Sequence, residues 1–187
     1  MGTRGIYGFI IGGAEKIGYN HFDSYPDGLG VSILQELRTG DLEEIKAQAG
    51  QLRVITDESK WPTPEQIDEV IAKLGTPDGS ARDWYWLLRD TQGSLDRTLR
   101  SGYIIDYSDF ALDSLFCEWG YLVNFETGFL EVYRGFQRER HEAGRFAMLP
   151  EEEAPEYYPI KMIAAYSLAE LPDQETFLRD CSDSGET

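Results

Sequence analysis

The sequence predicts an α+β protein, with a mainly antiparallel sheet and a helical insertion between an N-terminal hairpin and later strands. Three observations carry that prediction. Two β-forming runs, Ile6 to Ile11 and Lys16 to Tyr19, flank Gly12-Gly13, which is the turn chemistry of a hairpin. A second pair, Leu115 to Phe125 and Phe129 to Tyr133, flanks Glu126-Thr127-Gly128. Between the two pairs, apolar residues recur at helical spacing and are bounded by helix start and stop signals.

The elements follow in order. Val31, Ile33, Leu34 and Leu37 mark a short helix that stops near Gly40. Asp41 caps the next one, with Glu43 and Glu44 favourably placed in its first turn and Leu42, Ile45 and Ala49 on one face. Arg53 to Thr56 is a short strand candidate. Thr63-Pro64-Glu65-Gln66 starts a helix, with Thr as cap and Pro in the first helical position. Ile67, Val70, Ile71 and Leu74 are its buried stripe, and Gly75 stops it. Ser80 to Thr91 reads as a helix with Trp84, Leu87 and Leu88 inward, and Ser94 to Arg100 continues the helical region. In the strand from Phe129 to Tyr133, alternation puts Phe129, Glu131 and Tyr133 on one face and Leu130 and Val132 on the other. Ile160 to Leu168 is a further strand and Leu171 to Arg179 a last helix. The expected organisation is one domain over residues 1–180 and a frayed acidic tail over 181–187.

Composition narrows the function classes. The formal net charge is −17, from 34 acidic and 17 basic residues. That argues against ordinary nucleic-acid binding, which needs a dense Lys/Arg footprint. It fits a solvated acidic surface, or a surface that imitates nucleic acid and occupies a basic groove on a partner. No apolar run approaches the length of a membrane helix, and no secretory leader is recognisable. Two cysteines, Cys117 in an aromatic run and Cys181 near the C-terminus, suggest reduced thiols and a soluble cytoplasmic protein. No cofactor and no metal site are expected. Asp106, Asp109, Asp113 and Glu118 lack the spacing of a calcium loop and read as caps and solvated carboxylates.

Charge is uneven along the chain. Residues 149–187 hold 10 acids and 2 bases, led by Glu151-Glu152-Glu153. Residues 134–148 run the other way, with Arg134, Arg138, Arg140 and Arg145 against Glu139 and Glu142. This basic segment either pairs with the protein's own acids or clamps an anion, with His141 as a further member of a phosphate site.

Tyr19-Asn20-His21-Phe22-Asp23-Ser24-Tyr25-Pro26-Asp27-Gly28-Leu29-Gly30 packs amide, imidazole, carboxylate, hydroxyl and phenol groups into one loop, held in shape by Pro26, Gly28 and Gly30. His21, Asp23 and Ser24 are candidate catalytic residues, with His21 the general base near neutral pH. Three groups so close in sequence seldom converge as a triad, and structural roles in the loop compete with catalysis. Arg4, Asn20, His21, Asp23 and Arg134 are candidate ligand contacts, with the two arginines holding an anionic group and Arg134 closing from a distant strand. Arg4 needs a partner at the mouth of an apolar strand, either Asp23 or Glu118 or a ligand.

Met1-Gly2-Thr3-Arg4-Gly5 followed by the Tyr19 to Gly30 loop resembles a family of uncharacterised proteins from bacteria, phages and fungi. Asp83-Trp84-Tyr85, Asp113 to Glu118 and Tyr133-Arg134-Gly135-Phe136-Gln137 extend that resemblance over most of the chain. The N-terminal strand, hairpin and polar loop also resemble the start of N-terminal-nucleophile hydrolases and class II glutamine amidotransferases. The resemblance implies a nucleophile at residue one, activated by its own amine, and places Arg4, Asn20 and Asp23 as substrate-orienting groups. Here removal of Met1 exposes Gly2, which has no nucleophile, and Thr3 needs a second cleavage. The expectation is therefore a protein that binds a small anionic ligand in a hydrolase-like pocket. The alternative is an acidic interaction or inhibitor protein of a phage-encoded kind that mimics nucleic acid.

Overall fold

The computed structural model describes residues 2–79, 82–147 and 155–183. Gly12 and Gly13 both take positive φ, 63° and 73°, as a two-residue hairpin turn demands. They join β1 (Gly5–Ile11) to β2 (Ala14–Asn20), in register from Gly5 opposite Asn20 to Ile11 opposite Ala14. A π-helical turn over Pro26–Gly30 leads into α1 (Val31–Thr39), and α2 (Leu42–Gln51) follows. Asp41 caps α2 by accepting from the Glu43 and Glu44 N–H groups. After β3 (Arg53–Ile55), Thr63 and Gln66 form a reciprocal capping box on α3 (Pro64–Leu74).

The next helical stretch is shorter than its sequence pattern. Asp83 takes the cap position, so α4 covers Trp84–Leu88 and tightens into a 3₁₀ turn over Arg89–Thr91. Ser80 and Ala81, the expected start, lie outside the described residues. Ser94 caps a separate α5 (Leu95–Ser101), and β4 (Tyr103–Ile105) then pairs in parallel with β3. The insertion is thus helical with a small parallel sheet inside it.

Beyond a 3₁₀ turn at Ser108–Leu112, β5 (Trp119–Asn124) starts later than its β-forming composition suggests. The Phe116 and Cys117 N–H groups both donate to the Asp113 carbonyl, which curls that segment away from extended geometry. β6 (Phe129–Arg134) and β7 (Lys161–Ser167) complete a five-stranded sheet in the order β2-β1-β5-β6-β7. β1 and β5 are parallel, and every other neighbouring pair is antiparallel. This is an α+β fold, with a mixed but mostly antiparallel sheet.

Alternation along the strands builds two cores. Tyr7, Phe9, Tyr121, Val123, Leu130 and Val132 pack with residues of α1 and of α6 (Gln174–Asp183). Ile6, Ile10, Leu122 and Tyr133 face Ala111, Phe146 and Ile160 on the other side. A third cluster, including Val70, Trp84, Trp86 and Tyr103, fills the space between the insertion helices and the small sheet. The chain is still helical at residue 181, where a frayed tail was expected to begin. α6 runs to Asp183, and Cys181 is 1% exposed within the main core, where burial pushes its thiol up to about 12. Residues 184–187 and Glu151-Glu152-Glu153 lie outside the described residues.

Two buried polar arrangements hold the sheet to its surroundings. The Lys16 ammonium is buried and donates to the Ala49, Gly50 and Leu52 carbonyls at 2.8, 2.9 and 2.8 Å, closing the C-terminus of α2. The Glu131 carboxylate accepts from Asn124 at 2.7 Å, Tyr133 at 2.6 Å and Arg145 at 3.3 Å. Arg145 also reaches Glu15 at 2.6 Å, so this member of the basic segment pairs with the protein's own acids.

Candidate functional site

At the end of β2 the chain reverses. Asp23 has a φ of 56°, a left-handed conformation that Asp adopts more readily than most residues. The turn brings the Asp23 carbonyl to the Leu29 N–H at 2.9 Å. It also presses Asp23 against Gly28, where a Cβ would lie 2.5 Å from the Asp23 carbonyl oxygen, so only glycine fits.

Ser24 is the anchor of the loop. Its N–H donates to the Thr3 carbonyl at 3.1 Å, and its carbonyl accepts from the Tyr121 hydroxyl at 3.1 Å. Its hydroxyl accepts from Asn20 Nδ2 at 2.8 Å, and the same amide nitrogen donates to the Phe22 carbonyl. Ser24 is fully buried by these contacts.

The loop forms one wall of an open cavity of about 450 Å³, with Asn20, His21, Asp23 and Ser32 on that side. The insertion supplies the other wall through Tyr85, Arg89, Asp90 and Gln92. Two interactions set the distance between the walls. The His21 N–H donates to Gln92 Oε1 at 3.1 Å. Beneath, the buried Tyr7 hydroxyl donates to the Thr91 carbonyl at 3.2 Å and shares a 2.9 Å hydrogen bond with Thr98. The 3₁₀ turn carrying Arg89 and Asp90 is thereby fixed to β1.

His21 is positioned by aromatic neighbours. Its Nδ1 is 2.9 Å from the Tyr19 hydroxyl, and its ring meets Phe22 edge-on at 4.3 Å. Burial pushes the Tyr19 phenol up, and the nearby Arg4 guanidinium partly offsets this. A Tyr19 hydroxyl that donates to Nδ1 leaves the proton of the neutral imidazole on Nε2. Arg4 itself lies with its guanidinium 4.9 Å from the Phe116 ring centre, and its carbonyl accepts from the Glu118 N–H.

The expected site residues therefore divide. Asn20, His21 and Asp23 line one cavity, and Ser24 lies enclosed behind it. No hydrogen bond joins His21 to Asp23 or Ser24 among the described residues. Arg4 is one residue beyond the hairpin's first pair and touches His21's partner Tyr19 rather than lining the cavity. Arg134 is three strands from Asn20 in the same row of the sheet, about 14 Å at ordinary strand spacing, and lines a different cavity. Among the described residues, no group of three or more His, Cys, Asp and Glu side chains is placed to hold a metal. Cys117 is fully buried, and burial with Asp113 nearby pushes its thiol far up.

Arg89, Asp90 and Gln92 are the wall that the sequence did not single out. Arg89 and Asp90 read as the end of a helix and Gln92 lies just beyond it, and their one local signal is a polar run closing on Gly93. Comparison with protein-family models, curated proteins and solved structures finds no match to this chain.

Proposed function

We propose that the cavity behind the N-terminal hairpin binds a small polar molecule with an anionic group at one end. The carrying observation is that His21 and Asp23 on the loop face Arg89 and Gln92 on the insertion around one cavity of about 450 Å³. That volume is in the range of small-molecule sites. Arg89 and His21 supply donors for a carboxylate or phosphate, and Asp23 and Asp90 supply acceptors for an amine or hydroxyl on the same ligand. The pinned Asp23 turn and the Tyr7 anchor favour a pre-formed site over one assembled on binding.

The test uses free amino acids from glycine to L-glutamate, which carry both charges, in thermal-shift and calorimetric titrations. The expected result is stabilisation of the wild type by at least one of them, lost in Arg89→Ala and in His21→Ala. Binding that survives both substitutions, or no binding by any of the set, overturns the reading. Hydrolysis of the N-terminal-nucleophile kind would also require a chain beginning at Thr3, which intact-mass measurement identifies.

A second reading rests on the net charge of −17: an acidic interaction or inhibitor protein that imitates nucleic acid. In that case reversing Glu151, Glu152 and Glu153 to Lys abolishes function, and the cavity variants are silent.

A further inference from the structure

Toward the opposite edge of the sheet lies a second cavity, of about 430 Å³, lined by Arg134, Phe136, Arg138, Arg140, His141 and Lys161. Among the described residues, Glu139 is the single acid on its wall. In a chain of net charge −17, four cations against one acid is a local inversion of sign.

The cations are held together against their own repulsion. Arg134 and Lys161 sit directly opposite each other in the register of β6 and β7. Like charges in that relation destabilise a sheet. Among the described residues, none of Arg134, Arg140 and Lys161 belongs to an ion pair. Arg138 donates to the Tyr157 hydroxyl at 3.0 Å and also lies in the field of Glu156, so the unpaired charge rests with the other three. An anion between these groups removes the repulsion.

The aromatic residue beside them is equally unusual. Phe136 has a φ of 57°, a costly conformation for a bulky side chain, and is 52% exposed. Its backbone is fixed there. The Phe136 N–H donates to the Ser114 carbonyl at 2.7 Å, the Gln137 N–H to the Ser114 hydroxyl at 3.0 Å, and the Tyr158 N–H to the Gln137 carbonyl at 2.7 Å. The strain buys no burial, since the ring stays in solvent on the cavity wall. His141 adds a third feature. Its Nε2 donates to the Pro159 carbonyl at 2.8 Å, and its Nδ1 is buried with no hydrogen-bond partner among the described residues. A ligand hydroxyl can supply the missing donor.

We infer that this cavity binds a nucleoside phosphate, with the phosphate between Arg134, Arg140 and Lys161 and the base stacked on Phe136. Guanidinium groups match phosphate geometry, and an exposed, rigidly presented ring is a platform for a flat heterocycle. The volume exceeds what a lone phosphate needs. The acidic remainder of the chain disfavours a polynucleotide, whose further phosphates would meet it.

Calorimetric titration of the full chain with AMP, ribose 5-phosphate and inorganic phosphate tests this. AMP is expected to bind about tenfold more tightly than ribose 5-phosphate, the difference being the stacked base. Arg134→Gln combined with Lys161→Gln is expected to weaken AMP by about tenfold or more. Phe136→Gly suits the left-handed backbone, so it keeps the fold, which an unchanged or higher Tm verifies. It is expected to bring AMP down to the affinity of ribose 5-phosphate. His21→Ala leaves AMP binding unchanged; its loss would put AMP in the hairpin cavity and overturn the assignment. Absence of AMP binding at millimolar concentration, equal affinity for AMP and inorganic phosphate, or indifference to the Arg134 and Lys161 substitutions also overturns it.

Discussion

Single side chains decide how firmly the hairpin cavity is held. Tyr7 is a sheet residue whose hydroxyl reaches the insertion, so Tyr7→Phe removes the tie while keeping the ring packed. The expected cost is about 1 kcal/mol in urea denaturation, the ordinary net worth of such a bond. Affinity for the cavity ligand falls with it, because the Arg89 wall loses its anchor; an unchanged affinity would mean that Gln92 alone sets the gap. Glu69 is a cleaner case for titration. Arg53 at 2.6 Å and then Lys73 at 2.9 Å hold its carboxyl down to about 2, below the ordinary value of 4.5. Its folded-state value lies under the unfolded one, so the stability it contributes is complete above about pH 4.5 and is lost as pH falls toward 2. Glu69→Gln should therefore flatten the acid limb of a Tm-against-pH curve in that window and leave its slope near neutrality alone. The effect is small, because the pair is partly exposed.

Among the elements, the ends are more informative than the middles. Lys16 of β2 closes α2 with three hydrogen bonds to carbonyls at its C-terminal end, of which Ala49 also accepts from the Leu52 N–H. Lys16→Met keeps the apolar stem and removes the donor from all three carbonyls, with an expected loss of about 2–3 kcal/mol in chemical denaturation. A loss no larger than that of an exposed Lys46→Met control would show that water reaches them. The caps at Asp41 and at Thr63 with Gln66 were legible in the sequence because they are local, each acting within three residues. β4 was not, since three residues beside a helix carry no period to read. The loop side of the cavity was legible from the crowding of Asn20, His21 and Asp23. Its other wall was not, because the contact from His21 to Gln92 depends on how the insertion folds back. Arg134 lies away from the loop for a related reason: composition identifies a strand, and pairing order decides what it faces.

Across the whole molecule, a net charge of −17 means that the folded state works against its own field. Added sodium chloride should raise the Tm by a few degrees between low and physiological ionic strength, as screening shortens the reach of that repulsion. No rise would indicate that the acids are already balanced by local pairing. The same field gives the two cavities different salt behaviour, since an anion entering the Arg134 cavity is attracted locally and repelled by everything beyond it. The parallel pairing of β1 with β5 has another consequence, in time rather than energy. During synthesis the hairpin emerges before the insertion, with the apolar strand β1 open along one side until the entire insertion has been made and β5 arrives. Closing so long a loop is slow, and an unpaired inner strand is a template for misassembly. The insertion that supplies half of the hairpin cavity is thus also a delay in the life of every nascent chain, and the hairpin spends that delay exposed.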